Sequence, residues 1–153
     1  MKILAIRCSN CDFAYAIVEG SKGSPTVIDS EVVGYPKGYD EHVLFHWFHQ
    51  EIMELINHYS PDGVAVKAAE PMVKRSGILE TRIRIEGIAL MSGAEAGCSI
   101  ACRKVKSTIA KDLGMKGKGK YLETKLITSP IAGFDSYNTK RQEAILVGWS
   151  CLK

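Results

Sequence analysis

The 153-residue chain has no apolar run long enough to span a membrane, so no transmembrane helix is expected. It also lacks a strong charge of either sign. Twenty Lys and Arg stand against 17 Asp and Glu, a net +3, which is less than the broad basic excess of a protein that coats nucleic acid. There is no internal repeat, and no low-complexity segment beyond the short run from Gly114 to Lys120, so a solenoid is not expected. No P-loop or dinucleotide glycine fingerprint occurs, which argues against a nucleotide-binding ATPase. Met1-Lys2-Ile3 leads straight into an apolar strand rather than a secretory leader. The five cysteines are an odd number in a chain of domain size, so a reducing cytoplasm is expected rather than a disulfide-built secreted scaffold.

What is present suits one domain over residues 1–153, with 46% hydrophobic residues to build a core. Lys2 to Glu19 reads as two apolar strands split by a polar turn at Cys8-Ser9-Asn10-Cys11. The first of these scarcely alternates, which suits a strand covered on both faces. After the turn cluster Ser21 to Pro25, Thr26 to Val33 reads as a third strand completing an antiparallel meander. Asp40 is placed to cap a helix running to about Tyr59, with Leu44, Phe48, Ile52, Leu55 and Tyr59 on its apolar face. Val64 to Ala68 is a short strand of the fully buried type. Gly77 to about Ser92 reads as helix, although Thr81 to Ile85 alternates as a strand would. A strand within Ser99 to Val105 and a helix to Leu113, closed by Gly114, come next. One further short helix is expected over Lys120 to Leu126, and a last helix from about Asn138 to Cys151. A meander followed by strand–helix alternation implies an α/β fold whose mixed sheet joins three antiparallel strands to two parallel ones, with helices on both faces. This is the element order of the RNase H-like fold.

Three segments carry a closer resemblance. Pro61-Asp62-Gly63-Val64-Ala65-Val66-Lys67 resembles the second catalytic strand of the RuvC-like Holliday junction resolvases. Val105-Lys106-Ser107-Thr108-Ile109, with the glycines and lysines from Gly114 to Lys120, resembles their "VK-x-x-hydrophobic, Gly, Lys" segment. Gln142 to Gly148 resembles their terminal helix. The resemblance implies a two-metal nuclease site of four carboxylates. Matched position by position, those carboxylates fall on Arg7, Lys67, a place near Lys140, and Glu143. Only Glu143 is acidic. Mg²⁺ takes oxygen ligands, and two cations in their place repel a divalent ion. The resemblance therefore implies the family's scaffold without its metal chemistry.

Arg7 and Lys67, at the carboxyl ends of central strands, are expected to form salt bridges with Glu143, or else to contact a phosphate directly. Asp12, Glu70, Asp135 and Glu143 are the carboxylates from which a displaced metal site would have to be built. The plainer reading makes Asp135 a turn residue and Glu70 a solvated loop residue. Cys8 and Cys11 form a C-x-x-C pair, and Cys98 and Cys102 a C-x-x-x-C pair. On one strand the latter two would lie ~13 Å apart, too far for a shared zinc ion, so buried thiols are expected. A redox role for Cys8 and Cys11 is the minor alternative. His42, His46 and His49 have chelate spacing on the first helix, but the stripe lies about 120° from the apolar face and is expected to be solvated.

The stretch from Arg103 to Lys125 holds eight basic residues against two acidic ones. It is the best candidate surface for DNA or RNA, through Lys104, Lys106, Lys116, Lys118 and Lys120, with Arg75 as an outlier. Glycines 114, 117 and 119 would let backbone approach a phosphate. Lys74, Arg82 and Arg84 would extend the patch if they faced the same edge. Three readings follow. The first is a non-catalytic nucleic-acid binder needing neither cofactor nor metal. The second is a structure-specific nuclease using displaced carboxylates and Mg²⁺. The third is a structural or interaction module, such as a homodimer, that keeps only the scaffold.

Overall fold

A computed structural model describes residues 1–71, 74–115 and 126–153. Strands β1 (Lys2–Cys8), β2 (Asp12–Ser21) and β3 (Ser24–Gly34) form the antiparallel meander. Helix α1 (Glu41–Tyr59) leads to β4 (Gly63–Lys67), and α2 (Gly77–Glu95) leads to β5 (Ile100–Lys104). Both β4 and β5 run parallel to the neighbours they join, giving the order β3-β2-β1-β4-β5. Helix α3 (Lys106–Asp112), a 3₁₀ turn at Phe134–Ser136 and helix α4 (Thr139–Trp149) follow. The α/β mixed sheet with helices on both faces is the expected architecture.

Side chains on β1 point alternately to the two faces, which sorts the core into two clusters. Leu4, Ile6 and Cys8, with Phe13, Val64 and Val66, meet Phe48 and Ile52 of α1 and Ile85 and Ala89 of α2. Ile3 and Ala5, with Ala14, Ala16 and Ala65, meet the other face, where α4 lies with Ile145, Val147 and Trp149. The small residues on that face let α4 lie close. A Cβ added at Gly148 would come 2.8 Å from Val18 Cγ2 and 2.9 Å from Ala5 Cβ. By the same alternation Arg7 and Lys67 face α4 rather than α1 and α2.

Several local expectations change. Asp40 occupies the N-cap position of α1, but its side chain makes no capping bond. Such bonds are made by Ser76 to Leu79 N and by Asn138 to Arg141 N. Ser60 ends α1 in the left-handed region at φ 47°. Cys98 precedes β5 instead of sharing it with Cys102. The 3₁₀ turn was not foreseen, and the short helix expected over Lys120 to Leu126 lies outside the described residues except for Leu126.

Helix α2 carries the deepest charge of the described residues. Glu86 is 0% exposed. It accepts from Arg82 Nε at 2.8 Å and Ala69 N at 3.0 Å, and from Arg103 Nε and Nη2 at 3.1 and 2.6 Å. One carboxylate thus ties α2 to β5 and to the segment leaving β4.

Candidate functional site

The strand register lines up three cations at the carboxyl edge of the sheet. Lys67 of β4 pairs in register with Lys104 of β5. Arg7 follows Ile6, the last residue of β1 paired with β4, just as Lys67 follows Val66. Each cation has its own carboxylate. Arg7 Nε donates to Glu143 Oε2 of α4 at 2.7 Å, with both side chains 18% exposed. Lys67 Nζ donates to Glu70 Oε1 at 2.7 Å and to Ala68 O at 2.8 Å. Lys104 Nζ lies 2.8 Å from Asp112 Oδ2 and donates to Ser150 O and Oγ. A fourth pair, Lys140 of α4 with Asp12 of β2, closes the row.

These contacts correct the sequence reading at three places. Lys67 does not meet Glu143, because its ammonium turns toward the chain just beyond its own strand and finds Glu70. It is 2% exposed, so it is not placed for direct phosphate contact. Glu70 is not a free loop residue. It accepts both from Lys67 and from the Lys106 backbone N–H at 3.1 Å, at the start of α3 where the helix dipole favours an anion. The Arg7–Glu143 bridge stands as expected.

Electrostatics follow from these pairs. Burial alone would raise the Asp12 carboxyl, but the Lys140 ammonium and then the Ser9 hydroxyl hold it below its ordinary range. Glu70 is likewise held low, by Lys67 and the Lys106 N–H against burial. Lys104 is pushed up by Asp112, again against burial. Four cations face four carboxylates, so the charges balance.

The two-metal set of the resemblance does not fit these residues. Among the described residues no three of His, Cys, Asp and Glu converge as ligands. Asp12, Glu70 and Glu143 already bond cations, and Asp135 sits exposed in the 3₁₀ turn. An octahedral Mg²⁺ site would have to displace ammonium and guanidinium groups.

Beside the row a cavity of about 240 Å³ opens between α3 and α4, with Lys67, Lys106, Asp135, Thr139, Gln142 and Glu143 as its polar wall. Lys106 is thus the expected basic residue that reaches it. Lys104 is folded inward onto Ser150 and Asp112. Arg75 is exposed and bonds Glu80 at 2.6 Å. Arg82 is bound to Glu86, and Arg84 to Glu41 at 2.7 Å, so neither extends a free basic patch. Lys116, Lys118 and Lys120 lie outside the described residues.

The histidine stripe divides. His42 and His46 are exposed, whereas His49 Nδ1 lies 2.8 Å from Ser92 Oγ and its Nε2 3.4 Å from Glu95, joining α1 to α2. Cys8 is buried and Cys11 exposed. The thiol contact that does form joins Cys102 to Cys151, at 3.6 Å. The sequence offered no sign of that contact, nor of Asp12 as the partner of Lys140. Arg82 and Glu86, four apart on a helix, were a readable signal for one side of the buried carboxylate.

A five-stranded mixed sheet in this order, flanked by helices on both faces, defines the RNase H-like class. Within that class the fold is RuvC-like. The Thermus thermophilus RuvC structure matches at a TM-score of 0.73 and 14% identity, covering 98% of this chain and 92% of that one. RuvC of T. thermophilus in complex with a Holliday junction substrate matches at 0.71 and 14%, covering 98% and 91%. The yeast mitochondrial Holliday junction resolvase Ydc2 matches at 0.63 and 10%, covering 97% and 76%. At these identities the likeness is one of fold alone. No protein-family model and no curated protein sequence matches the chain. Among the described residues no helix is long and apolar enough to cross a membrane.

Proposed function

We propose that this protein binds nucleic acid, branched DNA foremost, and does not cleave it by a two-metal route. The observation that carries the reading is the charge inversion at the sheet edge. Arg7, Lys67 and Lys140 stand where the resemblance calls for carboxylates, and each is bonded to a carboxylate of this chain. Ion pairs made within the chain replace the contacts a metal would make, and they hold the edge without a bound cation. The similarity to a RuvC bound to a Holliday junction makes a four-way junction the first ligand to try.

The residues assigned to the contact are Lys106, in the wall of the cavity, and, from the sequence alone, Lys116, Lys118 and Lys120. Four phosphate contacts would cost ~100-fold in affinity between about 50 and about 200 mM salt, through re-uptake of counterions.

The test is fluorescence anisotropy on synthetic four-way junctions, duplex and single strands across that salt range, with and without Mg²⁺ or Mn²⁺. The expected result is salt-sensitive binding with every strand intact, and a shallower salt slope for Lys116→Ala/Lys118→Ala/Lys120→Ala. No binding at low salt would overturn the reading. Metal-dependent cutting abolished by Glu143→Gln would replace it with the nuclease reading.

A further inference from the structure

Cys102 lies on β5, and Cys151 follows the last turn of α4. They are 49 residues apart in sequence, and their Sγ atoms are 3.6 Å apart. Both side chains are partly buried at the margin of the α4-side core, so each keeps an approach from solvent. Their surroundings differ from those of the other thiols. Cys8 is sealed in the opposite cluster, where burial pushes its thiol up. Cys98 points to Pro61 O at 3.8 Å. Cys102 and Cys151 instead lie beside Ser150 and Lys104, whose ammonium donates to Ser150 O and Oγ next to Cys151.

We propose that Cys102 and Cys151 form a redox-modifiable dithiol that low-molecular-weight disulfides of the glutathione type convert to an intramolecular disulfide. The two thiols have unequal roles. Cys151 is drawn well below the ordinary thiol range, first by the hydrogen bond from Cys102 and then, against burial, by Lys104 and Ser150. Cys102 is pushed up, by its bond to Cys151 and then by burial. The thiolate is the nucleophile in exchange. Cys151 Sγ⁻ attacks one sulfur of the small disulfide, forming a mixed disulfide and expelling one small thiolate. Cys102 gives its proton to that thiolate and attacks Cys151 Sγ, expelling the second small thiolate, which takes from solvent the proton that Cys151 released on ionising. Counted from the neutral dithiol, the protein loses two electrons and two protons, and the small disulfide gains them as two thiols. The two sulfurs must close from 3.6 Å to about 2.05 Å, a short movement for side chains at a strand and just past a helix end.

The product would clamp the end of α4 to β5, the edge strand of the sheet. Such a clamp acts on the helix that carries Lys140 and Glu143, but the proposal stands whether or not the protein binds nucleic acid.

The experiment treats the full-length protein with glutathione buffers of graded ratio, then applies intact-mass measurement, peptide mapping and thermal unfolding. Oxidation is expected to remove two hydrogens and to give a Cys102–Cys151 cross-linked peptide. It should also raise Tm by roughly 5–15 °C, as expected for closing a loop of this length. Cys102→Ser should trap a glutathione adduct on Cys151. Cys151→Ser should leave Cys102 largely unmodified. Adducts confined to Cys11, or no cross-linked peptide under fully oxidising conditions, would overturn the proposal. So would equal adduct formation on Cys102 and Cys151 in the two serine variants, because it would leave Cys151 with no privileged role.

Discussion

Replacing Glu86 by alanine is the sharpest test of how the sheet edge is held together. The substitution removes a fully buried acceptor that serves four donors: Arg82, Arg103 twice, and the Ala69 N–H. Arg82 is 19% exposed at its side chain and cannot swing fully into solvent, whereas Arg103 at 37% largely can. Breaking a buried pair from one side costs ~3–5 kcal/mol, because the partner charge is left uncompensated. The exposure of Arg103 moves the expectation to the lower part of that range, about 3–4 kcal/mol. For a domain of this size that is a fall in Tm of roughly 6–16 °C. With a urea m-value of ~2 kcal/mol/M, it is a midpoint lowered by roughly 1.5–2 M with m unchanged. Glu86→Gln keeps the shape and gives up the charge assistance, so about half the loss is expected. The triple exchange Arg82→Met/Glu86→Leu/Arg103→Met removes all three charges together and should cost less than Glu86→Ala alone. Hydrogen exchange at Ala69 should lose protection in the alanine variant, because its acceptor is gone. Urea curves placing Glu86→Ala within about 1 kcal/mol of the parent would refute the account of a buried, fully engaged carboxylate.

Two further outcomes are open to direct measurement. Gly148→Ala gains helix propensity by up to ~1 kcal/mol, yet the added Cβ meets Val18 and Ala5 under 3 Å. A net loss of about 1–2 kcal/mol in calorimetry is therefore expected, and a stabilised variant would refute the close approach of α4. In acid, the Asp12 and Glu70 carboxyls are held low by Lys140 and Lys67 respectively, against burial. The Asp29 carboxyl is held low, also against burial, by the hydroxyls of Tyr59 and Tyr15, which donate to it at 2.6 and 2.7 Å. A carboxyl whose folded pKa is depressed contributes stability above its unfolded value, about 4, and loses it as the pH falls through the folded value. Urea midpoints should be flat from pH 7 to about pH 5 and fall below about 4. Asp29→Asn should flatten part of that acid limb. A limb of unchanged slope would show that the tyrosine pair has no such effect.

The fold was legible where one face or both faces of an element are covered. The unbroken apolar run of β1 announced a central strand, and the four-residue polar turn announced the meander. Helix α2 was readable despite the alternating Thr81 to Ile85 because the segment is long for a strand. The Arg7–Glu143 bridge was legible only through the resemblance, which matches both residues to carboxylate positions of a single site. Other pairs depend on where the chain goes after an element ends, and no local pattern records that. Lys67 finds Glu70 only because the chain turns back just past β4. Asp12 and Lys140 meet across 128 residues of sequence. The Cys102–Cys151 contact likewise needs β5 and the end of α4 to be placed first.

The strand order has a kinetic side. The β1–β2–β3 meander is built from neighbours in sequence and closes only short loops, whereas β4 and β5 must each wait for a crossover helix. Helix α4, last in the chain, docks on strands formed from the first. The ion-paired edge shared by Arg7, Asp12, Lys140 and Glu143 is therefore expected to assemble late, after the folding barrier is crossed. Gly148→Ala should then quicken unfolding while leaving refolding nearly unchanged, and substitutions within the meander should slow refolding instead.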